Sequence, residues 1–185
     1  MNKETSLNNL LYIHEHLSCR NYLEKVENGF KYIEFEQDAV ILEKEIMWNH
    51  ILFVLEGECI INYNQFKNRK LQAESIILLP KMATMKVEVT AGTRLLSLSF
   101  GISLNLCDKF ALQSLTKLCD ELDYNFEPLK IHYPLQPFLE LVMHCLNQKM
   151  DCGHFHSLLQ QELFFLLRGF YKKEELALLF YPILA

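Results

Sequence analysis

Among the side chains between residues 30 and 104, His50 and Glu56 stand out, because an imidazole and a carboxylate can bind a metal ion or transfer a proton. Trp48 lies two residues before His50, so no His-x-His pair is present, and the later segment 80–85 contains no histidine. One imidazole and one distant carboxylate are fewer ligands than a protein zinc site uses. We therefore predict no metal here, and a structural or ligand-lining role for His50.

A second group of potential zinc ligands lies further along the chain and comprises His144, Cys145, Cys152, His154 and His156. Residues two apart on a helix point about 200° away from each other, so His154 and His156 cannot share an ion within a helix. The sequence instead predicts that a loop ends at Cys152 and that the two histidines flank the first turn of a helix.

The short motifs that mark common catalytic centres are absent from the sequence. There is no GxSxG nucleophile elbow, no glycine-rich phosphate loop and no HExxH zinc motif. We therefore predict that the chain is not an enzyme and that it carries no cofactor.

Composition narrows the class of protein further. The 185 residues carry 18 basic and 23 acidic side chains, and half of them are hydrophobic. The hydrophobic content predicts a folded core, and the acidic balance argues against a chain that binds nucleic acid by itself. No apolar run approaches the roughly 20 residues of a membrane helix, and residues 1–9 lack the pattern of a secretory signal. We expect a cytoplasmic protein that does not enter a membrane and whose six cysteines are reduced thiols.

The pattern of apolar residues changes from strand-like to helical near residue 104. Gly57 is interpreted as the turn of a hairpin, and the polar segment 62–69 as the exposed end of the next hairpin. The number and spacing of the strands favour a sandwich or barrel, so the predicted fold is mainly β with C-terminal helices. The predicted strands are short apolar runs separated by turn-forming residues, over 30–36, 39–45, 50–55, 58–63, 76–79, 84–89 and 94–100.

Beyond residue 104 the apolar residues recur with the helical period. Helices are predicted over 108–122, 135–149 and 154–171, followed by a short helix from 172 that stops near Pro182. The helix over 154–171 is hydrophobic on more than one face, so it must pack on the barrel and on another helix. That other helix belongs either to the same subunit or to a partner, and we favour a homodimer. The candidate interface residues lie on the apolar faces of the two long helices: Leu139, Val142, Leu146, Leu159, Leu163 and Leu166.

Several segments resemble the N-terminal effector-binding and dimerisation domain of AraC-type bacterial transcription regulators. Residues 50–63, HILFVLEGECIINY, are similar to the strand-Gly-strand segment of that family. Residues 74–80 occupy the place of its Gly-Asp pair, apolar strand and proline, although this chain has Glu-Ser instead of Gly-Asp. Residues 160–168 and 171–176 look like the helical segment that precedes the DNA-binding half in a Bacteroidetes subgroup.

The resemblance covers residues 30–185 and implies an architecture. It implies a cupin-like β-barrel (jelly roll) over 30–104, preceded by an N-terminal arm within 1–29 and followed by a helical dimerisation region of antiparallel α-helices over 105–185. The two helix-turn-helix units that would read DNA are absent from this sequence, so DNA binding is expected only through a C-terminal domain outside it. The apolar residues 180–185 likewise lead us to expect a domain cut from a longer polypeptide.

In this family a small-molecule effector, often a sugar or related metabolite, enters the barrel and favours one arrangement of the arm and the dimer. The candidate ligand-binding residues are Trp48, His50, Tyr63, Met82 and Met85, because an aromatic face stacks on a sugar and His and Tyr can bind hydroxyls. One alternative is a stand-alone cupin enzyme, such as an isomerase or dioxygenase, with a metal or an acid/base pair in the barrel. Another is a regulator that has lost its ligand and keeps the barrel as a scaffold, which an interior packed with Leu, Ile and Phe would support.

Overall fold

The computed structural model describes residues 28–101 and 112–184. The predicted N-terminal arm therefore lies outside the described residues up to residue 27, as do the end of the predicted barrel at 102–104 and the start of the helix predicted from 108. The described part contains nine strands: β1 (Gly29–Glu34), β2 (Ala39–Glu43), β3 (Asn49–Glu56), β4 (Glu58–Tyr63), β5 (Phe66–Gln72), β6 (Ser75–Leu79), β7 (Met85–Val89), β8 (Arg94–Phe100) and β9 (Leu129–Lys130).

The strands form two antiparallel sheets that face each other. The larger has the order β1-β8-β3-β6-β9, and the smaller has the order β2-β7-β4-β5. Successive strands mostly alternate between the two sheets, which is the double Greek key of an eight-stranded jelly roll, with β9 added at one edge. The predicted fold, a cupin-like jelly roll with C-terminal helices, is confirmed.

Strand β3 shows how the sequence positions two separate cores. Ile51 and Phe53 pack against the helices, whereas Leu52 and Val54 pack between the two sheets. Side chains alternate across a strand, so a strand that is covered on both faces must be apolar at every position. This explains why residues 51–54 read as a continuous apolar run rather than as an alternating one.

Gly57 does not form the hairpin that the sequence predicted. Strands β3 and β4 lie in different sheets, so Gly57 is the corner at which the chain passes from one sheet to the other. The corner needs glycine, because its φ is +76° and a Cβ there would lie 2.5 Å from Oγ1 of Thr93. Thr93 is fully buried, and its hydroxyl contacts both the backbone nitrogen and the carbonyl oxygen of Glu58.

We expect Gly57→Ala to lower the free energy of unfolding by about 2 kcal/mol, since it adds a steric clash to a left-handed backbone. Gly92→Ala is the matched control: Gly92 has a φ of +80°, but a Cβ there meets nothing within 4 Å. Gly92→Ala therefore measures the free-energy cost of the left-handed backbone conformation alone, which is about 1 kcal/mol. Urea unfolding of both variants measures the difference, and equal losses would contradict the role of the Thr93 contact.

The polar segment between β4 and β6 holds a strand that the apolar pattern did not predict. The exposed turn falls at residues 64–65, as expected, but β5 continues to Gln72 as an edge strand paired with β4. Of its seven side chains only Leu71 is buried, and Arg69 and Lys70 form ion pairs with Glu127 and Glu58. Charged edge strands are common because they discourage pairing with other chains, which is why periodicity failed to find this one.

The helical region follows the predicted order with different ends. A 3-10 turn (Leu112–Leu115) leads into the single-turn helix α1 (Thr116–Cys119), followed by α2 (Leu135–Asn147), α3 (Gly153–Phe170) and α4 (Lys173–Leu184). The last helix was predicted to stop near Pro182; it includes that proline and ends two residues later, at Leu184. Within residues 112–184, none of these helices is long and apolar enough to cross a membrane.

Candidate functional site

The strand register places the predicted ligand-binding residues at one end of the sandwich. His50 pairs with Leu79 at the start of β3, and Tyr63 pairs with Met85 where β4 ends and β7 begins. His50 and Trp48 are half-buried there. Burial, assisted by Lys31 and opposed by Glu43, lowers the pKa of His50, so its imidazole is neutral at pH 7.

Within the described part of the chain, the five side chains have different environments. Tyr63 and Met85 are buried in the core between the sheets, and burial raises the pKa of Tyr63. Met82 lies at the surface, where it is 67% exposed, on a loop in which its φ is +63°. Whether Trp48, His50 and Met82 contact a ligand stays a prediction.

An aromatic cluster fills this end of the interior. Phe126 is completely buried, with its ring centre 4.7 Å from that of Tyr63 and 5.4 Å from that of Phe66. Tyr124 packs edge-on against Phe66 and stacks on Tyr181 of α4 with ring centres 4.4 Å apart. The rest of the inner core consists of Ile, Leu, Val, Met, Ala and Cys side chains that are less than one tenth exposed. The described interior is therefore apolar, and its side chains are packed against one another.

Asn49 occupies an apolar environment beside His50. Its side chain is almost fully buried, and its Oδ1 accepts a hydrogen bond from the backbone N–H of Lys81 at 2.9 Å. Its Nδ2 has no hydrogen-bond partner in the described part of the chain. The amide thus ties the loop after β6 to the start of β3.

No three His, Cys, Asp or Glu side chains within residues 28–101 and 112–184 lie close enough together to hold a metal ion. The C-terminal histidines instead have separate environments in the first turn of α3. His154 is exposed to solvent, whereas His156 is 3% exposed and is bonded at both ring nitrogens.

His156 joins the helical layer to the first strand, which sequence spacing could not reveal. Its Nδ1 accepts the backbone N–H of Phe30 at 3.0 Å, and its Nε2 contacts the carboxylate of Asp151. An acceptor at Nδ1 fixes the proton on Nε2, which donates to that carboxylate. Gly29 allows the close approach, since a Cβ there would lie 2.7 Å from the imidazole.

The predicted dimer-interface residues belong to the core of the subunit itself. Leu139, Val142, Leu159 and Leu163 are buried against the larger sheet and the other helices. They are unavailable to a partner, and this corrects the prediction for all four. The two remaining candidates, Leu146 and Leu166, are half-buried and pack against the same core. The alternative in which the helices cover each other within one subunit accounts for these six residues.

Other apolar side chains on the same helices face solvent instead. Leu141 of α2 is 53% exposed, and Leu158 and Phe165 of α3 are 64% and 57% exposed. Leu158 and Phe165 are seven residues apart, so they lie on one side of α3. We refer to Leu141, Leu158 and Phe165 as the helical surface.

Among the residues that the structure describes, two cavities lie outside the sandwich interior. One of about 290 Å³ is a depression on the smaller sheet, around Val40, Ile60 and Glu88. The other, of about 120 Å³, lies between the jelly roll and α2, where Leu55, Glu56 and Arg94 face Leu139 and Met143. Only the second touches both the barrel and a long helix.

The strand order and the helical layer define the class of this chain as a cupin-like jelly-roll domain. No protein-family model matches the sequence, and no curated protein matches it. Partial similarity is found to a cupin-superfamily protein from Desulfitobacterium hafniense, with 16% identity, coverage of 42% of this chain and 83% of that chain, and a TM-score of 0.34.

Two further solved structures show the same degree of likeness. The cupin domain of Cnp3 from Schizosaccharomyces pombe shares 15% identity over 44% of this chain and 59% of that chain, with a TM-score of 0.36. Hydroxypropylphosphonic acid epoxidase from S. wedmorenis, in complex with fosfomycin, shares 18% identity over 40% of this chain and 43% of that chain, with a TM-score of 0.35. At these identities the likeness concerns the fold alone.

Proposed function

We propose that this chain is the ligand-sensing and dimerisation domain of an AraC-type transcription regulator that acts in the cytoplasm, with DNA bound by a helix-turn-helix domain outside this sequence. The observation that carries the proposal is the helical surface on a cupin-like domain. The resemblance of residues 160–168 and 171–176 to the helical segment of these regulators supports it. The proposal includes no catalytic step and no cofactor.

The helical surface has the chemistry of a dimer contact. Leu141, Leu158 and Phe165 are large apolar side chains that remain more than half exposed on two helices packed against each other. Large apolar groups exposed on neighbouring helices are typical of interaction sites, and a two-fold interface would bury the copy of each group on both subunits. Burial of one such side chain contributes about 1.5–3 kcal/mol.

We expect the unmodified chain to sediment as a dimer and Phe165→Glu to sediment as a monomer. The substitution places two carboxylates at a two-fold contact from which water is excluded, where they repel each other and lose hydration. Analytical ultracentrifugation over a range of concentrations measures the dissociation constant, which should rise at least a hundredfold.

Val40→Glu is the matched control, because Val40 is equally exposed, at 61%, but lies on the smaller sheet. It should leave the dimer intact. A chain that is monomeric at 100-micromolar concentration, or a Phe165→Glu variant that dimerises like the unmodified chain, would contradict the proposal.

A ligand-free scaffold is the second candidate, and the packed interior is the observation that favours it. Native mass spectrometry distinguishes the two. A dimer that retains a small organic molecule, such as a sugar or related metabolite, supports sensing, whereas a bare dimer that binds none of a metabolite panel supports the scaffold.

A further inference from the structure

We propose that the cavity between the jelly roll and α2 binds a small organic amine, and that this cavity rather than the sandwich interior is the effector site. The effector assignment rests on the function proposed above, whereas the binding site itself does not. The ligand class is a monovalent ammonium group on a short hydrocarbon.

The walls of the cavity are apolar and come from three parts of the fold. Leu55 contributes from β3, Ile131 from the segment after β9, and Leu139 and Met143 from α2. The volume of about 120 Å³ is somewhat below the 150 Å³ or so of an apolar cavity that accepts benzene. It therefore suits a hydrocarbon of about five carbon atoms.

The charged side chains at the rim of the cavity determine which charge a ligand should carry. Glu56, Glu74 and Glu140 border it together with a single cation, Arg94, which is ion-paired with Glu56. Glu74 lies 3.7 Å from the Lys130 ammonium. Glu140 accepts only an amide hydrogen bond from Gln136, at 3.4 Å, and forms no ion pair in the described part of the chain.

The rim thus carries more negative than positive charge, and Glu140 is the carboxylate left for an incoming cation. An ammonium group placed beside Glu140 gains a charge-assisted hydrogen bond, while its hydrocarbon covers the apolar walls. A carboxylate ligand of the same shape would meet like charge at the rim.

The position of the cavity can couple ligand binding to dimerisation. One wall belongs to the corner of the larger sheet, and the opposite wall belongs to α2, which packs against α3. A ligand that contacts both walls favours those positions of α2 in which both contacts are made. Because the helical surface includes Leu141 of α2, ligand binding in the cavity would then shift the equilibrium between monomer and dimer.

The test uses 3-methylbutan-1-amine as the probe and 3-methylbutanoate as the matched anion, on the full chain labelled at its methionine methyl groups. We expect the amine to shift the Met143 methyl resonance saturably at millimolar concentration or below. The exposed Met47 and Met82 are internal controls and should not move. No Met143 shift up to 20 mM amine, or an equal response to the anion, would overturn the site.

Variants separate the cavity from the surface around it. Met143→Trp fills the cavity and should abolish saturation transfer to the amine, whereas Leu141→Trp on the exposed side of the same helix should retain it. Glu140→Gln should weaken binding at least threefold, and Glu162→Gln on α3 should not. Binding that survives Met143→Trp unchanged would overturn the site.

Sedimentation with and without the amine then tests the effector assignment. We expect saturating amine to change the dimer dissociation constant by about fivefold or more. Amine binding to a dimer whose dissociation constant stays unchanged would overturn the effector role and keep the site. Amine binding to a chain that never dimerises would contradict the proposed function, while a dimer that ignores the amine would contradict this inference alone.

Discussion

Phe164→Ala is expected to lower the free energy of unfolding by about 4 kcal/mol. Phe164 projects from α3 between two other aromatic rings, with Phe100 of β8 edge-on and Phe180 of α4 stacked, each with its ring centre 5.9 Å away. All three rings are at most 2% exposed. The substitution leaves a cavity where the sheet and two helices meet, and the fold cannot close it without moving one of the three.

Phe170→Ala is the control for this prediction. Phe170 lies at the end of the same helix and is 53% exposed, so its loss should change the free energy by less than about 1 kcal/mol. Urea unfolding monitored by far-ultraviolet circular dichroism gives both values. A Phe164→Ala loss no larger than that of Phe170→Ala would show that the three rings do not pack as described.

His156→Ala is expected to cost about 3 kcal/mol. The change leaves the buried N–H of Phe30 without an acceptor, which costs about 1–3 kcal/mol, and it also opens a void beside Gly29. Because the bond joins residues 126 apart in sequence, its loss should also free the start of β1 from α3. Amide hydrogen exchange at Phe30 should accelerate more than exchange in β3.

Two further variants are controls for His156→Ala. His154→Ala removes an exposed imidazole from the same helical turn and should be nearly neutral. Asp151→Ala removes the partner of Nε2 but keeps the Phe30 bond, so it should cost about 1 kcal/mol or less, because Asp151 is itself exposed. Equal losses for His154→Ala and His156→Ala would rule out the tie between α3 and β1.

The residues of the candidate site were only partly accessible to sequence reasoning. The register of β3, β4 and β7 brings His50, Tyr63 and Met85 to one end of the sandwich. Sequence reasoning could not tell that Phe126, from the connector after α1, would fill the space beside Tyr63. The cavity beneath α2 had no sequence signal at all, because its lining comes from separate segments, around residues 55, 74, 94 and 131–143, that only the fold brings together.

The sequence by itself determined where most elements lie. Apolar runs such as 51–54 and 94–100 specify strands, and the 3.6-residue period specifies α2 and α3, because these patterns depend on neighbours along the chain. Together they were sufficient to predict a sandwich or barrel followed by helices, and the family resemblance implied the jelly roll. Two strands were missed: β5, whose side chains are mostly polar because it is an exposed edge, and the two-residue β9.

The tertiary structure alone decided which apolar side chains are covered and by what. Phe164 and Phe165 are adjacent and chemically identical, yet one is enclosed by Phe100 and Phe180 while the other faces solvent. Leu139 is buried in the core and Leu141 is exposed, so the residue predicted to lie at an interface is covered within the subunit. Helical periodicity gives the width of an apolar face, but only the position of the sheet fixes which part of that face is buried.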